Sequence, residues 1–280
     1  MMNLGQTFEQ TCRRYPDNTA IIYEDQTIAY GALNRSVNAL AHYFQTLGLR
    51  KGDKAALMLP NCPEFVVAYF ACQRIGAVAV TLNVLSTPYE LSFLLADSDA
   101  KVFITQPTLT KRFEEIRKDL PLCRHLLTTD DLKRIAAEGP FTIDVPDIAP
   151  DDPAVMIYTS GLTGRPLGAM LTHHNLLTQS TLIKLICDGD ERFRGLAVIP
   201  HFHSFGAVVN MLGPMWVGAS VVLMERFTLD SIFKAIEKEK VNYIAAVPRL
   251  FMGMIFHDKA DQYDVSSLKF CITGGSAMPP

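Results

Sequence analysis

The sequence predicts an α/β fold built on parallel strands, and two observations carry that prediction. Short apolar, β-branched runs alternate with stretches whose apolar residues recur at helical spacing, the order that builds βα units on a parallel sheet. Glycine and proline punctuate most changes from one kind of stretch to the other. The composition agrees. Of 280 residues, 49% are hydrophobic and 20% charged, an ordinary globular balance with enough length for a sizeable core, as one large domain or two small ones.

Leu4 to Tyr15 has helical spacing and stops at Pro16. Ala20–Tyr23, Glu24–Gln26 and Thr27–Ala29 read as strand, turn and strand. Tyr30–Leu33 opens an amphipathic helix through Val37, Leu40, Ala41 and Phe44, with Gly48 as its C-cap. Lys51-Gly52-Asp53 introduces a strand, Lys54–Leu59. Asn61 and Pro63 then start the helix Glu64–Arg74, and Gly76–Val80 turns into another strand. A polar connection (83–87) leads to a helix, Pro88–Ala96, and a strand, Lys101–Thr105. A charged, exposed helix, Leu109–Asp119, a strand, His125–Thr128, and a helix, Asp130–Ala137, follow. Val145–Pro153, with three prolines and three aspartates, is the clearest linker.

The linker delivers the chain to Ala154–Ile157, an apolar run that reads as a buried strand, while Ala169–Leu171 reads as a second short one. Between them runs Tyr158-Thr159-Ser160-Gly161-Leu162-Thr163-Gly164-Arg165-Pro166-Leu167-Gly168. Its glycines allow tight turning and bring backbone N–H groups close to a ligand. A concave run of N–H groups and hydroxyls is an anion site, and phosphate is the usual anion. A merely polar hairpin loop would explain the composition alone. The stretch is neither a Gly-Lys-Ser/Thr phosphate loop nor a dinucleotide G-x-G-x-x-G.

Further on, Thr172 caps a predicted helix, Asn175–Ile186, and a charged loop follows (188–194). The strand Gly195–Ile199 ends in Pro200-His201-Phe202-His203-Ser204-Phe205-Gly206, ahead of an apolar helix, Ala207–Trp216. Then come the strand Ser220–Met224, an amphipathic stretch, Phe227–Glu239, the strand Asn242–Val247 closed by Pro248, and the helix Leu250–His257. A last strand, Leu268–Thr273, ends in Gly274-Gly275-Ser276-Ala277-Met278-Pro279. Taken alone, His203 reads as a core or cap histidine satisfied by backbone.

The net charge of -3 implies no broad nucleic-acid surface. The six cysteines (Cys12, Cys62, Cys72, Cys123, Cys187, Cys271) form no C-x-x-C pair, so neither a zinc site nor a redox motif is supported. They read as small buried hydrophobes in a reducing compartment. The start of the chain lacks the basic and apolar regions of a secretory signal, and no apolar run reaches membrane-spanning length. A cytoplasmic protein is the expectation.

The stretch from Tyr158 resembles the phosphate loop of the adenylate-forming enzymes: acyl-CoA synthetases, luciferases and peptide-synthetase adenylation domains. Their pattern is Y-T-S-G-[ST]-T-G-x-P-K-G, then a short strand and T-H-x-N. This chain keeps Tyr158 to Gly161, Thr163, Gly164, Pro166 and Gly168, then Thr172-His173-His174-Asn175. It departs at Leu162, where the family has a hydroxyl, and at Leu167, where it has a lysine. The resemblance extends over the chain, through Tyr30, Leu33, Asn38 and Leu59-Pro60-Asn61, the P-x-F-H-x-F-G segment, Val247-Pro248 and the Gly-Gly-Ser loop.

What the resemblance implies is an α/β fold of layered sheets with flanking helices, the large N-terminal domain of an acyl-CoA synthetase-like protein. Its subdomains are expected at about 50–190 and at 1–49 plus 191–280, without the family's C-terminal domain and its catalytic lysine. Thr159, Ser160, Gly161, Leu162, Thr163, Gly164, Leu167 and Gly168 would face the ATP phosphates, and Gly274, Gly275 and Ser276 the adenine. His203, Phe205, Gly206, Ala207 and Val247 would bound the carboxylic acid, with a wall suited to a fatty or aryl acid. Arg249 reads as a solvated arginine. The parent activity would be ATP-, Mg²⁺- and coenzyme A-dependent acyl-CoA formation, with acyl-adenylate as intermediate. With two leucines in the phosphate loop and no catalytic lysine, this chain is expected to be inactive. The alternative is a non-catalytic module that binds nucleotide or acyl ligand. Homo-oligomerisation stays open.

Overall fold

The computed structural model describes residues 2–159 and 165–277 and divides into two units. Unit 1 takes the chain up to Gln10, then Ala32–Pro60 and Glu64–Leu177. Its sheet contains β3 (Lys54–Met58), β4 (Val78–Thr81), β5 (Ala100–Thr105), β6 (His125–Thr128), β7 (Pro153–Thr159) and β8 (Leu167–Thr172). The order is β6-β5-β3-β4-β7-β8, parallel throughout except for the antiparallel β7–β8 pair. Ala55, Leu57, Val80, Phe103 and Ile104 are fully buried. Strands covered on both faces need apolar residues at successive positions, which is why their sequences run apolar instead of alternating.

The helix Pro63–Ile75 is buried from Phe65 to Ile75 because almost nothing on it requires water. Its buried Arg74 donates to the Gly5 carbonyl and the Glu9 carboxylate. The helix Pro88–Asp97 starts with a reciprocal cap between Thr87 and Glu90, and Thr129–Glu138 with one between Thr128 and Asp131. The linker ahead of β7 is ordered around Asp152. Its carboxylate accepts the Ala149 N–H at 2.6 Å and pairs with Lys51 at 2.6 Å.

One expectation in this unit fails. Leu109–Asp119 is not a continuous exposed helix but a 3-10 turn, a short helix (Thr110–Glu114) and a second 3-10 turn (Arg117–Asp119). Phe113, Ile116 and Leu120 are buried, and the Phe113 ring lies 5.2 Å from that of Phe103. Apolar residues three and four apart share one face, so they seat the segment on the core while its charges stay outside.

Unit 2 takes Thr11–Gly31, Asn61–Pro63 and the chain from Thr178 on. Its strands are β1 (Thr19–Tyr23), β2 (Gln26–Ala29), β9 (Arg194–Ala197), β10 (Ser220–Leu223), β11 (Tyr243–Ala246) and β12 (Phe270–Thr273). The order is β12-β11-β9-β10-β1-β2, antiparallel only at β1–β2. Ile232, Phe233 and Ile236 of the helix Leu229–Glu239 pack against Leu196, Val222 and Ile244 of the sheet. Cys271 corrects a second expectation. It lies exposed on edge strand β12, whereas the other five cysteines are buried. An edge strand has a neighbour on one side only, so an apolar run there does not guarantee burial.

Candidate functional site

The candidate residues fall in both units, and each group is positioned by its own unit. In unit 1, β7 starts in the core and ends outside it. Ala154, Val155 and Met156 are buried, Tyr158 is half-buried and Thr159 exposed. The Tyr158 hydroxyl donates to the Asp97 carboxylate at 2.7 Å, which pins the strand at the point where it emerges. Burial, then the Asp97 charge, raises the Tyr158 pKa, so the phenol remains a neutral donor.

Thr159 and Leu167 are the last pair of the β7–β8 ladder, and the Thr159 hydroxyl lies 3.4 Å from the Leu167 carbonyl. Ser160, Gly161, Leu162, Thr163 and Gly164 lie outside the described residues. β8 spans Leu167–Thr172, longer than the predicted Ala169–Leu171, because Leu167, Gly168 and Thr172 also pair, with Thr159, Tyr158 and Pro153. The Leu167 side chain is 59% exposed, an unusual position for a leucine and an ordinary one for a lysine. A Cβ on Gly168 would collide with the Met156 methyl, so the glycine leaves room for that side chain beneath the hairpin.

Two residues after the hairpin tie it down. Thr172 and Asn175 cap the following helix reciprocally, at 3.0 and 3.1 Å. His173 is fully buried, and its Nδ1 accepts the Leu4 N–H at 3.3 Å, which leaves the proton on Nε2. Burial lowers its pKa to about 4, against the opposing charge of Asp152. The first histidine of the Thr-His-His-Asn segment is therefore a neutral structural residue.

In unit 2 the acid-side and adenine-side candidates meet. A Cβ on Gly274 would lie 3.2 Å from the Phe205 ring, and one on Gly275 3.5 Å from Val247. Gly275 has φ +82°, a conformation glycine adopts freely. His203 sits at the N-terminus of the short helix Ser204–Ala207, exposed, with its ring 4.2 Å from Phe202 and no capping bond from its side chain. Partial burial lowers its pKa. A Cβ on Gly206 would collide with the Pro200 carbonyl, so only glycine allows the helix to start this close to the preceding turn. Ala207 is buried and Val247 half exposed. Gly274 is half-buried and Ser276 exposed.

Sequence reasoning missed the residues that hold this segment. Asn61 donates to the Ala197 and Ile199 carbonyls, both at 3.0 Å, and accepts the His201 N–H at 2.8 Å. It thereby fixes the turn between β9 and His203. The predicted helix Ala207–Trp216 is interrupted. After Ser204–Ala207 comes a π-turn, Val208–Leu212, and only then the helix Gly213–Val217. The Gly213 N–H bonds to the Val208 carbonyl, and Pro214 has no N–H, so the Val209 carbonyl has no partner within the helix. The Tyr243 hydroxyl supplies one at 2.9 Å. The signal was the Gly-Pro pair inside an otherwise regular apolar stretch.

A family model described as AMP-binding enzyme matches residues 8–280. Among curated relatives, a long-chain-fatty-acid–CoA ligase of Bacillus subtilis (strain 168) is 29% identical, over 99% of this chain and 56% of the relative. A feruloyl-CoA synthase of Amycolatopsis sp is 32% identical, over 99% and 55%. The chain therefore spans about half the length of the curated relatives it matches. Among solved structures, an anthranilate CoA ligase in complex with anthranoyl-AMP superposes with a TM-score of 0.94 at 25% identity, over 99% of this chain and 55% of the other. The N-terminal domain of FACL13 from Mycobacterium tuberculosis superposes with a TM-score of 0.93 at 28% identity, over 100% and 71%. The mixed α/β fold is that of the N-terminal domain of adenylate-forming acyl-CoA ligases, and the chain belongs to the family of AMP-binding enzymes.

Proposed function

We propose that this chain carries the nucleotide and carboxylic-acid elements of an ATP-dependent carboxylate–CoA ligase for a fatty or aryl acid. The carrying observation is the emergence of β7 and β8 from the core, with Thr159 and Leu167 paired and exposed at their outer ends and Gly168 just inside them. In this reading Thr159, Ser160, Gly161, Thr163, Gly164 and Gly168 supply N–H groups and hydroxyls to the ATP phosphates. Gly274, Gly275 and Ser276 lie against adenine, while His203, Phe205, Gly206, Ala207 and Val247 bound the acid. The reaction would be attack of the acid's carboxylate on the α-phosphate, giving acyl-adenylate and pyrophosphate, followed by transfer of the acyl group to the thiol of coenzyme A. Negative charge gathers in the first step, so cations and aimed N–H groups determine its rate. Mg²⁺ enters with ATP; among the described residues no cluster of three His, Cys, Asp or Glu side chains is present to hold it.

By itself the chain is proposed to turn over slowly or not at all, because Leu162 and Leu167 supply neither hydroxyl nor charge. The exposed Leu167 also supports a second reading, a binding module without catalysis. Calorimetric titration with Mg-ATP tests both, on the native chain and on Leu162→Thr/Leu167→Lys. A charge-assisted contact contributes about 1.5–3 kcal/mol, so the double variant is expected to bind ATP more tightly by roughly tenfold or more. Equal affinities would remove the phosphate role from this turn. Acyl-CoA formation by the native chain at the rate of a complete ligase would overturn the inactivity.

A further inference from the structure

The helix Leu229–Glu239 leaves a cavity of about 430 Å³ beside it, at the carboxyl ends of β1 and β10. The space follows from how the helix is seated. Ile232, Phe233 and Ile236 press on Leu196, Val222 and Ile244, so the helix covers β9, β10 and β11, and β1 lies at its margin. Toward β1 the helix presents Ala235, a short side chain, between Lys234 and Lys238. The floor is apolar, from Ile22, Val222, Met224 and Ala235. The Lys238 ammonium meets the Asp25 carboxylate at 3.2 Å, which ties the helix to the β1–β2 turn. The Tyr23 hydroxyl donates to Glu225 at 3.1 Å, and burial, then the Glu225 charge, keeps that phenol neutral. The cavity lies on the other face of the sheet from the π-turn. Ile244 packs under the helix, whereas its neighbour Tyr243 reaches the Val209 carbonyl.

The rim carries both signs of charge. Lys238 and Glu239 are engaged, Lys238 with Asp25 and Glu239, and Glu239 with Arg194 as well. Arg226 and Lys234 are exposed cations with no ion pair or hydrogen bond among the described residues. Glu24 and Glu225 add two carboxylates to the same rim. A purely anionic guest would meet those carboxylates, and a purely cationic one the two cations. A guest with one charge of each sign suits both pairs. We propose that this cavity binds a small zwitterion with an apolar body, the chemistry of a free α-amino acid with an aromatic or aliphatic side chain. Its carboxylate takes the Arg226 fork and the Lys234 ammonium, and its own ammonium takes Glu24 and Glu225. Its apolar body lies on Ile22, Val222 and Ala235. The volume is that of a small-molecule site. The site shares no residue with the acid and nucleotide groups above, and it stands or falls without them.

The test is a titration of the native chain with phenylalanine, phenylpropanoate and phenethylamine, followed through the methyl NMR signals of Met224 and Ala235. The three compounds share an aromatic body and differ in their charged groups. Signals from the cavity itself keep binding elsewhere out of the measurement. Phenylalanine is expected to shift both signals to saturation. Each single-charge compound should bind there about tenfold more weakly, the value of one lost charge-assisted contact. Arg226→Gln/Lys234→Gln should bring phenylalanine down to the affinity of phenethylamine, and Glu24→Gln/Glu225→Gln to that of phenylpropanoate. Ala235→Leu should fill the space and remove the Met224 shift. All four rim residues are exposed, so their variants keep the fold and decide the matter if Ala235→Leu does not fold. No shift with phenylalanine would overturn the site. Equal affinities of the three compounds, or rim variants that bind as the native chain does, would overturn the zwitterion. A Met224 shift that persists in folded Ala235→Leu would put the ligand outside the cavity and overturn the site as well.

Discussion

The β7–β8 hairpin of unit 1 and the His203 segment of unit 2 hold their backbones in opposite ways. The hairpin is satisfied locally. Its ladder runs from Pro153–Thr172 to Thr159–Leu167. The His203 segment turns inward after the exposed His203, with Gly206 buried against the Pro200 carbonyl. It continues through a turn whose carbonyl at Val209 has no helical partner. Its bonds come from Asn61 and Tyr243, far away in the sequence. A local motif can be exposed and tolerant of change. A segment that relies on distant donors must be packed, and each packed contact is a point at which it fails.

The largest expected effect separates two glycines. Gly206→Ala drives a Cβ into backbone carbonyls that cannot yield, and should destabilise by about 3 kcal/mol. Gly168→Ala meets the flexible side chain of Met156 and no backbone atom, and should cost less than about 1 kcal/mol. Urea unfolding of both variants decides. Similar losses would break the contrast between the packed segment and the exposed hairpin.

Acid should act on both units through buried histidines. Burial holds His173 at about 4 and His201 at about 3, both below the ordinary value near 6.5. The unfolded chain therefore binds more protons in this window, so stability is complete above about pH 6.5 and falls as the pH drops. For His173 the loss by about pH 4 is on the order of 2–3 kcal/mol, and the His201 contribution continues toward pH 3. Denaturation midpoints of the native chain and of His173→Gln, followed from pH 7 to 4, give the slope. A variant as steep as the native chain would show that His173 is not the group responsible.

Tyr158→Phe removes the bond to Asp97 at the point where β7 leaves the core, and should cost about 1 kcal/mol. Thermal unfolding that shows no change would mean the ladder alone fixes the strand's exit. Smallest is Leu167→Lys. The side chain is mostly exposed, so stability should move by no more than about 0.5 kcal/mol. A larger drop would show that Leu167 packs on the hairpin and that its surface has more than an open phosphate role.

Read from the sequence alone, the parallel strands, the Thr172 cap and the two strands of the hairpin were legible because each follows from neighbouring residues. Apolar runs gave β3, β4 and β5, and Thr172 with Asn175 gave a helix start. The exposure of Cys271 was not legible, since an apolar run does not tell whether its strand lies at an edge. Neither was the seating of Phe113, Ile116 and Leu120 under a charged segment.

The sequence by itself determined the alternation of strands and helices, the family resemblance and the glycine-rich turn, because periodicity and backbone freedom are properties of adjacent residues. Only the tertiary structure decided what completes the His203 segment. Gly213-Pro214 says that a helical bond will be missing, but not what replaces it. The replacement is Tyr243, across a sheet pairing from bare Gly195, together with Asn61 at the end of β9. A missing N–H is a local fact. Its remedy is whatever donor the fold brings within about 3 Å, and that distance exists only once the chain has folded.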